Sequence, residues 1–500
     1  MALSSIVVNR SNNALGIPLT GETHLSAMLF YSNTLPTGFL TTDRIKQVFS
    51  LSDVEALGIK GDYSLETKAN GSVQITAPGA ANDKIEIKVT AGAKVTSLGV
   101  YTVQTGDTAL TVAAALRGII NTGFDTHGFR SAAASTDTVG VTAPTGSGLG
   151  ANTWVISTVI TGATTVTIVQ FTLGANDPYI VFWYHLSEFF RLNPNGVCWV
   201  AIYPVPASYT FSEIPLISIF ANGKIRQIAV YNPTTAFSTA HITSLQAVAV
   251  AERLAQRPIH IVYGGDISGI ALSSLADLRL SLSGKVNVNI GQDGAAKGAS
   301  LYTYTGKSIT TVGAELGALS ASNIGNRISW VGEYPLANVE LDTPAFANGV
   351  LLKGLSTSLL NQLDAYRYIF LVTYPAYTGT FFSSTKTATI ASNDDATIEN
   401  NRVLDEADRL LRTILTPRLN SPVRINADGT LSAISIVDFK SLCDNVLQGM
   451  VNNDQISQGE SFIDPTQLIL QTSELVIGIK IVPIGAAGTI VVNLSYALSI

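Results

Sequence analysis

Apolar and polar residues alternate along this chain with two periods, and the strongest patterns fall in residues 366–431. A run of large apolar residues at 368–372 predicts a buried strand. In residues 399–415, apolar side chains recur at three-and-four spacing, which predicts an amphipathic helix. Thr416-Pro417 ends this helix, because proline has no amide hydrogen to donate. The predicted apolar face consists of Val403, Leu404, Ala407, Leu410, Leu411 and Ile414.

Residues 179–289 alternate between predicted strands and predicted helices. This alternation predicts a parallel or mixed sheet covered by helices, an arrangement that enzymes and structural proteins share. The predicted strands are 197–203, 228–231, 259–263 and 286–290, and the predicted helices are 187–192, 211–222, 238–256 and 271–282.

Residues 65–174 differ in composition from their surroundings. Thr, Ala, Gly and Val dominate, and short alternating strands such as 84–89 and 166–171 recur between glycine turns. A single helix is predicted at 109–120. We interpret the segment as a compact inserted α+β domain, since closing a chain across an insertion costs little free energy.

The last third of the chain contains further predicted elements. Residues 312–319 are small and apolar, which favours a closely packed helix. Beyond the charged helix, a second helix is predicted at 436–453, followed by a polar loop at 452–464 and a strand at 474–484.

Both ends of the sequence carry strand-like patterns. Ile6, Val7 and Val8 form a β-branched run before polar residues, which fits either a detachable strand on a linker or an ordinary first strand. At the other end every second residue is large and apolar, so we predict a paired strand. Its partner is either this subunit or an adjacent one. The alternating residues are Val492, Leu494, Tyr496, Leu498 and Ile500.

Composition adds an expectation about surroundings. Charged residues make up 13% of the chain, whereas about 25% is usual for soluble domains, and mean hydropathy is +0.30. No apolar run approaches the roughly 18 residues of a spanning helix, so we predict burial in an assembly and no membrane insertion. A net charge of -6 argues against direct nucleic-acid binding. The N-terminus lacks the features of a signal peptide, which suggests synthesis in a reducing cytoplasm.

Motifs for metal binding and catalysis are not evident. Cys198 and Cys443 have no neighbouring cysteine, and no two of the five histidines stand four residues apart. Gly306-Lys307-Ser308 resembles the end of a phosphate-binding loop, but Leu301 replaces its first glycine. Residues 264–269 are glycine-rich, and we interpret them as a plain turn. We therefore expect no catalytic residues, no metal and no cofactor.

The order of motifs in residues 366–431 is similar to that of the C-terminal domain of contractile phage tail sheath proteins. An apolar strand precedes Gly-Thr-Phe-Phe at 379–382, Asn-Arg-Val-Leu-Asp-Glu-Ala at 401–407, Leu-Thr-Pro at 415–417 and Asn-Ala-Asp-Gly-Thr-Leu at 426–431. Further similar stretches are 189–194, 45–58 and the closing strand, so the resemblance covers most of the chain outside the insertion.

The resemblance implies a multidomain fold. The fold class is α/β plus α+β: a mixed sheet covered by helices, an inserted β-rich domain and a C-terminal α+β assembly domain with strand-exchange arms. The implied divisions are an N-terminal arm at 1–18, a discontinuous central domain at 19–64 with 175–355, the insertion at 65–174, and a C-terminal domain at 356–500. The early strands near residues 27–31 and 44–49 should then pair with strands found much later.

The resemblance also implies a function. A sheath subunit polymerises with itself in stacked rings around a tail tube protein, contacts baseplate and tail terminator proteins, and contracts to drive the tube through a cell envelope. It belongs to a virion tail and is assembled in the host cytoplasm. Charged side chains on the polar face of a helix are usually solvated. The resemblance makes those of the helix at 399–415 candidates for contact with the tube: Asp405, Glu406, Asp408, Arg409 and Arg412. Two alternatives are an α/β hydrolase-like enzyme with a carbohydrate-binding insertion and a self-assembling surface or adhesin protein.

Overall fold

The computed structural model describes residues 22–132, 137–336, 338–375, 377–488 and 490–491. The chain divides into two compact units. The first comprises Met1–Asp53, His185–Gly298 and Ser308–Ile500, and the second comprises Val54–Tyr184 and Ala299–Lys307. The division predicted from the sequence, at residues 18, 64, 174 and 355, stays a prediction.

Strands are numbered in chain order. They are β1 Ser26–Tyr31, β2 Ile45–Val48, β3 Asn70–Ala77, β4 Lys84–Ala91, β5 Lys94–Thr102, β6 Thr138–Thr142, β7 Val155–Thr161, β8 Thr165–Thr172, β9 Cys198–Tyr203, β10 Gln227–Ala236, β11 His260–Asp266, β12 Val286–Asn289, β13 Gly291–Asp293, β14 Pro344–Phe346, β15 Tyr368–Ile369, β16 Leu371–Tyr374, β17 Tyr377–Phe382, β18 Gln458–Ile463 and β19 Ile477–Val482.

Helices follow the same numbering. They are α1 Leu51–Ala56, α2 Ala109–Thr122, α3 Phe124–His127, α4 Ile180–Leu192, α5 Glu213–Phe220, α6 Thr239–Leu254, α7 Lys297–Thr305, α8 Val312–Ala321, α9 Thr357–Ala365, α10 Ile398–Leu415, α11 Ala433–Asn452 and α12 Ile469–Thr472. Short 3-10 helices occur at Glu22–His24, Gly148–Thr153, Leu272–Ser274, Leu278–Ser281 and Thr416–Arg418.

A seven-stranded sheet with the order β15-β12-β11-β10-β1-β9-β2 organises the first unit. Its neighbouring strands are parallel except for β2, which runs antiparallel to β9. β1 pairs with both β9 and β10, far along the sequence, as the resemblance implied. The predicted mixed α/β fold class is therefore confirmed.

Both faces of this sheet are covered, so all residues of β1, β11 and β12 are buried. On one face, α5 and α6 contribute Ile214, Ile217, Ile242, Leu245 and Ala249 to the core. On the other face, Phe30 of β1 and Tyr231 of β10 pack against the ring of His185.

Every residue of helix α8 from Val312 to Ser320 is buried, because two glycines let the helix approach α4 closely. A Cβ at Gly313 would lie 2.2 Å from the carbonyl oxygen of His185, and one at Gly317 would lie 2.8 Å from that of Phe189. Neither backbone atom can move away without shifting a helix. The close packing predicted for residues 312–319 is confirmed.

Three local predictions are wrong. The segment 271–282 forms two short 3-10 helices instead of one α-helix. Leu272, Leu275 and Leu278 are buried at threefold spacing, and the backbone at Leu275, between the two helices, is extended. Residues 264–266 are not a turn but the end of β11, where a Cβ on Gly264 would lie 2.3 Å from Thr310 Oγ1. The polar loop at 452–464 contains β18.

The second unit contains two three-stranded sheets, β6-β3-β8 and β5-β4-β7, with α2 packed against them. Inward residues alternate with outward ones along β4, as the period-two pattern of residues 84–89 predicted, and β3 shows the same alternation. Gln170 of β8 connects the two sheets, since its side chain accepts from Ile156 N at 2.7 Å and donates to Ile156 O at 3.0 Å. This amide takes the place of a backbone partner.

The C-terminal part of the first unit packs α10, α11 and the β18–β19 hairpin around a small core. Its buried apolar residues include Val403 and Ala407 of α10 with Leu447 and Met450 of α11. The predicted helices at 399–415 and 436–453 are both present, with bounds that differ by a few residues.

Candidate assembly surfaces and the charged helix

The β18–β19 hairpin is a two-stranded antiparallel sheet. Within the described residues, each of these strands has a single strand partner, but Asp444 and Lys440 bind the backbone N–H and carbonyl of Ser461 on β18. The open strand edge is therefore that of β19. Polar contacts to α11 hold β18: Ser461 donates to Asp444 at 2.6 Å, and Lys440 donates to the Ser461 carbonyl at 2.6 Å. These polar anchors explain why the hydrophobic pattern did not reveal the strand.

One face of the hairpin packs on α11 and the other is open. On the open face Phe462 is 62% exposed and Val482 is half exposed. Ile434 and Val437 of α11 are also exposed, three residues apart on one side of the helix. The open edge of β19, together with exposed apolar side chains on the hairpin and on α11, makes this part of the chain the strongest candidate for contact with another chain.

The predicted strand-exchange residues lie outside the described residues. They are Ile6, Val7 and Val8 at one end, and Val492, Leu494, Tyr496, Leu498 and Ile500 at the other. Their roles stay predictions.

Helix α10 does not divide into a buried apolar face and a solvated charged face. Asp405 and Glu399 are buried, whereas Leu404 and Ile414 are each 37% exposed. The expectation that the charges are solvated is wrong for these carboxylates, because α10 lies under neighbouring elements of its own unit that supply polar partners.

Asp405 has an internal partner. Lys285, which precedes β12, donates to Asp405 Oδ1 at 2.8 Å and lies 3.5 Å from Asp395 Oδ1. Burial raises the pKa of the Asp405 carboxyl, although Lys285 and Arg409 oppose the change. The carboxylate thus joins α10 to the central sheet.

The other charges predicted to face a tube are half-buried. Arg412 Nε donates to Asp408 Oδ1 at 2.6 Å. Arg409 lies 3.4 Å from Glu406 and also donates to the carbonyl oxygen of Pro258. The structure therefore brings all five residues together on one helix, four of them in ion pairs along it.

Sequence reasoning missed Arg402. Its buried guanidinium donates to Leu319 O at 2.7 Å and to Ser322 Oγ at 2.9 Å, which joins α10 to the end of α8. Burial lowers the pKa of Arg402 to about 10. No local pattern marks Arg402 as buried, because its acceptors lie 83 and 80 residues earlier in the chain.

A second buried polar cluster joins Glu315 of α8 to β11 and β12. The Glu315 carboxylate accepts from Asn287 at 2.7 Å and from Asn289 at 2.6 Å, and His260 Nε2 lies 2.7 Å from Asn287 Oδ1. Burial raises the pKa of Glu315 to about 7 and lowers that of His260 to about 3. The imidazole is therefore neutral at physiological pH.

No cluster of three or more His, Cys, Asp or Glu suited to a metal occurs in the described ranges. Cys198 and Cys443 are both buried free thiols. Among the helices the structure describes, none is both long and apolar enough to cross a membrane.

A family model for the C-terminal domain of DUF2586 matches residues 394–500, which span α10, α11 and the hairpin. A search of curated proteins gives no match. Several solved structures do match.

This chain is similar to tail sheath proteins. The sheath tail protein of Desulfitobacterium hafniense is 13% identical over 95% of this chain and 100% of that one, with a TM-score of 0.40. The anti-feeding prophage helical sheath in its contracted state is 15% identical over 65% and 84%, with a TM-score of 0.44. The sheath of the PVC extracellular contractile injection system is 11% identical over 63% and 80%, with a TM-score of 0.42. The family named from the motif order is also that of these remotely similar structures.

Proposed function

We propose that the protein is a subunit of a contractile tail sheath, in a phage or a phage-derived injection particle. The observation that carries the proposal is the β18–β19 hairpin. One face of this two-stranded sheet packs on α11, but the outer edge of β19 has no strand partner among the described residues, and the other face exposes Phe462. A neighbouring subunit that added a strand would satisfy that edge and cover Phe462.

Strands from the ends of the chain are the proposed additions. The period-two pattern of residues 492–500 fits addition to an open edge, where backbone hydrogen bonds provide affinity. Residues 6–8 form the second proposed donor. Links of this kind keep subunits connected while their bodies reorient, so a lattice can rearrange without dissolving.

The scarcity of charge supports a polymer. Charged residues form 13% of the chain, and large apolar side chains are exposed in the described part of both units. A surface of this kind suits a protein whose faces are covered by copies of itself. In this proposal the role is structural, with no reaction catalysed and no cofactor required.

The proposed partners follow from the same family. The subunit forms stacked rings with itself in a virion tail, surrounds a tail tube protein, and meets baseplate and terminator proteins at the two ends. Contraction drives the tube through the target envelope, and assembly takes place in the host cytoplasm. Similar chains belong to an anti-feeding prophage baseplate and to contracted sheaths, which supports this assignment.

Four of the five charged side chains of α10 are proposed to contact the tube. Glu406, Asp408, Arg409 and Arg412 keep some exposed surface beside their ion pairs. Asp405 is excluded from direct contact while Lys285 covers it.

Electron microscopy of the purified full chain tests the proposal. We expect the unaltered protein to form helical tubes or stacked rings. Deletion of residues 492–500 should abolish both assemblies but leave the circular dichroism spectrum of the subunit unchanged. The matched control is Val95→Thr on β5 of the second unit, an exposed apolar position that is not part of the hairpin, which should assemble normally. A monodisperse monomer at high concentration would contradict the proposal.

A further inference from the structure

The open edge of β19 has the composition of a strand that pairs easily with other strands. Residues 476–483 read Val-Ile-Gly-Ile-Lys-Ile-Val-Pro, in which Lys480 is the one charged residue. Strands rich in β-branched apolar residues pair with copies of themselves when an edge is left without a partner. An edge that is kept open for one partner therefore requires a feature that rejects the others.

Both ends of this edge are closed. The side chain of Gln467 accepts a hydrogen bond from Val476 N at 2.7 Å and donates one to Val476 O at 2.9 Å, so the backbone of Val476 is satisfied just before the strand begins. Pro483, which follows the strand, has no amide hydrogen to donate. The stretch that is open to another strand is therefore β19 itself, Ile477–Val482.

The side chains of β19 divide between two faces. Its three isoleucines are half-buried and pack against apolar clusters to which α11 contributes. The other three residues, Gly478, Lys480 and Val482, are exposed on the opposite face. Lys480 is in register with Glu460 of β18, but the two side chains form no ion pair among the described residues. The ammonium group thus stands at the middle of the open edge.

Pairing between the β19 edges of two copies would bring two lysines together. Two copies related by a twofold axis would pair these strands antiparallel. If their exposed faces lie on the same side, the registers of longest overlap are centred on Ile479 or on Lys480. Lys480 then lies diagonal to the Lys480 of the other copy, at about 7–8 Å, or directly opposite it, with Cβ atoms about 5 Å apart. Like charges in these positions repel, so this pairing is disfavoured.

We propose that Lys480 prevents the β19 edges of two copies from pairing with each other, and so keeps the edge available for the strand that links subunits. The inference rests on the proposed function, in which an added strand covers this edge. A strand without a cation meets no such repulsion, and residues 492–500, the proposed donor, contain no charged side chain. Lys480 thus determines which strand the edge accepts.

Removal of the charge tests the proposal in the full chain. At a concentration below that at which the unaltered protein assembles, Lys480→Val should raise the fraction of dimers and irregular aggregates in sedimentation velocity by at least about fivefold. Lys480→Arg keeps the charge and should behave as the unaltered protein does. Lys88→Val is the matched control, because Lys88 lies on β4, which has strand partners on both sides.

A mixing experiment separates the effect of charge from that of shape. Lys480→Glu should not associate on its own, because two glutamates at this position repel as two lysines do. An equimolar mixture of Lys480→Glu and the unaltered protein should form more dimer than either protein alone, because opposite charges then face each other across the edge. Salt at about 0.5 M should reduce this excess, because it screens exposed charges.

The outcomes bear separately on the two proposals. If the unaltered protein forms tubes but Lys480→Val associates no more than Lys88→Val, the role of Lys480 is overturned and the proposed function stands. A mixture that associates no more than its two components would also overturn that role. Absence of tubes in the unaltered protein would count against the proposed function, whereas the mixing experiment would still decide whether Lys480 controls pairing at the β19 edge.

Discussion

The ammonium nitrogen of Lys285 lies 2.8 Å from Oδ1 of Asp405, and both side chains are at most 5% exposed. This pair joins the sheet to the charged helix across 120 residues of sequence. A buried pair contributes little net stability against an apolar replacement, but removing one member leaves an unpaired buried charge.

Lys285→Met should therefore destabilise the protein by about 3–5 kcal/mol, because Asp405 loses its principal partner. Denaturant unfolding followed by circular dichroism measures the change. The matched control is Arg418→Gln, which breaks the exposed Arg418–Asp438 pair and should cost less than about 1 kcal/mol. Lys285→Met/Asp405→Leu should recover most of the loss, and equal effects in both single variants would contradict this account.

Glu315 should make stability fall as pH rises from about 5 to about 7. Its folded pKa is raised from 4.5 to about 7, so the native state holds a proton that the unfolded state has released in this window. Across this pH window the free energy of unfolding should fall by roughly 3 kcal/mol.

Urea midpoints measured against pH test this expectation. Glu315→Gln should flatten the profile relative to the unaltered protein. Glu340→Gln is the necessary control, because burial and Asp293 also raise the pKa of Glu340 to about 7. A profile that keeps its slope in Glu315→Gln/Glu340→Gln would exclude both carboxyl groups as its origin.

Gly313→Ala should destabilise the protein by about 1–3 kcal/mol, since the new methyl group would press on the His185 carbonyl. Gly449→Ala on α11 is the matched control, because both glycines are helical but the methyl added at Gly449 would meet no tertiary neighbour within 4 Å in the described part of the chain. That variant should gain about 0.5–1 kcal/mol from helix propensity. Thermal unfolding of the two variants should shift in opposite directions.

Phe462→Ser should weaken assembly without lowering stability, because the side chain is mostly exposed in the single chain. We expect fewer or shorter tubes by sedimentation and electron microscopy at an unchanged melting temperature. Leu173→Ser removes a similarly exposed apolar side chain from the second unit and provides the comparison. Equal assembly of both variants would argue against the hairpin as a subunit interface.

The sequence pattern predicts most of the central sheet because its strands are buried on both faces and its helices are long enough for their period to be recognised. It fails where polar contacts replace hydrophobic ones. Ser461 holds β18 through Asp444 and Lys440, and no apolar alternation marks the strand strongly. Similarly, threefold leucine spacing at 272–278 fits a helix or a 3-10 segment equally well.

The charged helix was predicted with nearly correct bounds but with the wrong surroundings. Helical period assigns Asp405 to a polar face, and only the distant Lys285 explains why that carboxylate is buried. Ion pairs across more than a hundred residues leave no local pattern. The same limit applies to Arg402, whose acceptors lie on the end of α8.

The position of β1 has a mechanical consequence. β1 follows the leading segment closely and lies in the middle of the sheet, with a parallel ladder to β10 on one side and to β9 on the other. Tension on that segment along the strand would load both ladders in shear, so many hydrogen bonds would resist together instead of opening one at a time. A pull transmitted through the start of the chain would thus reach the centre of the seven-stranded sheet first.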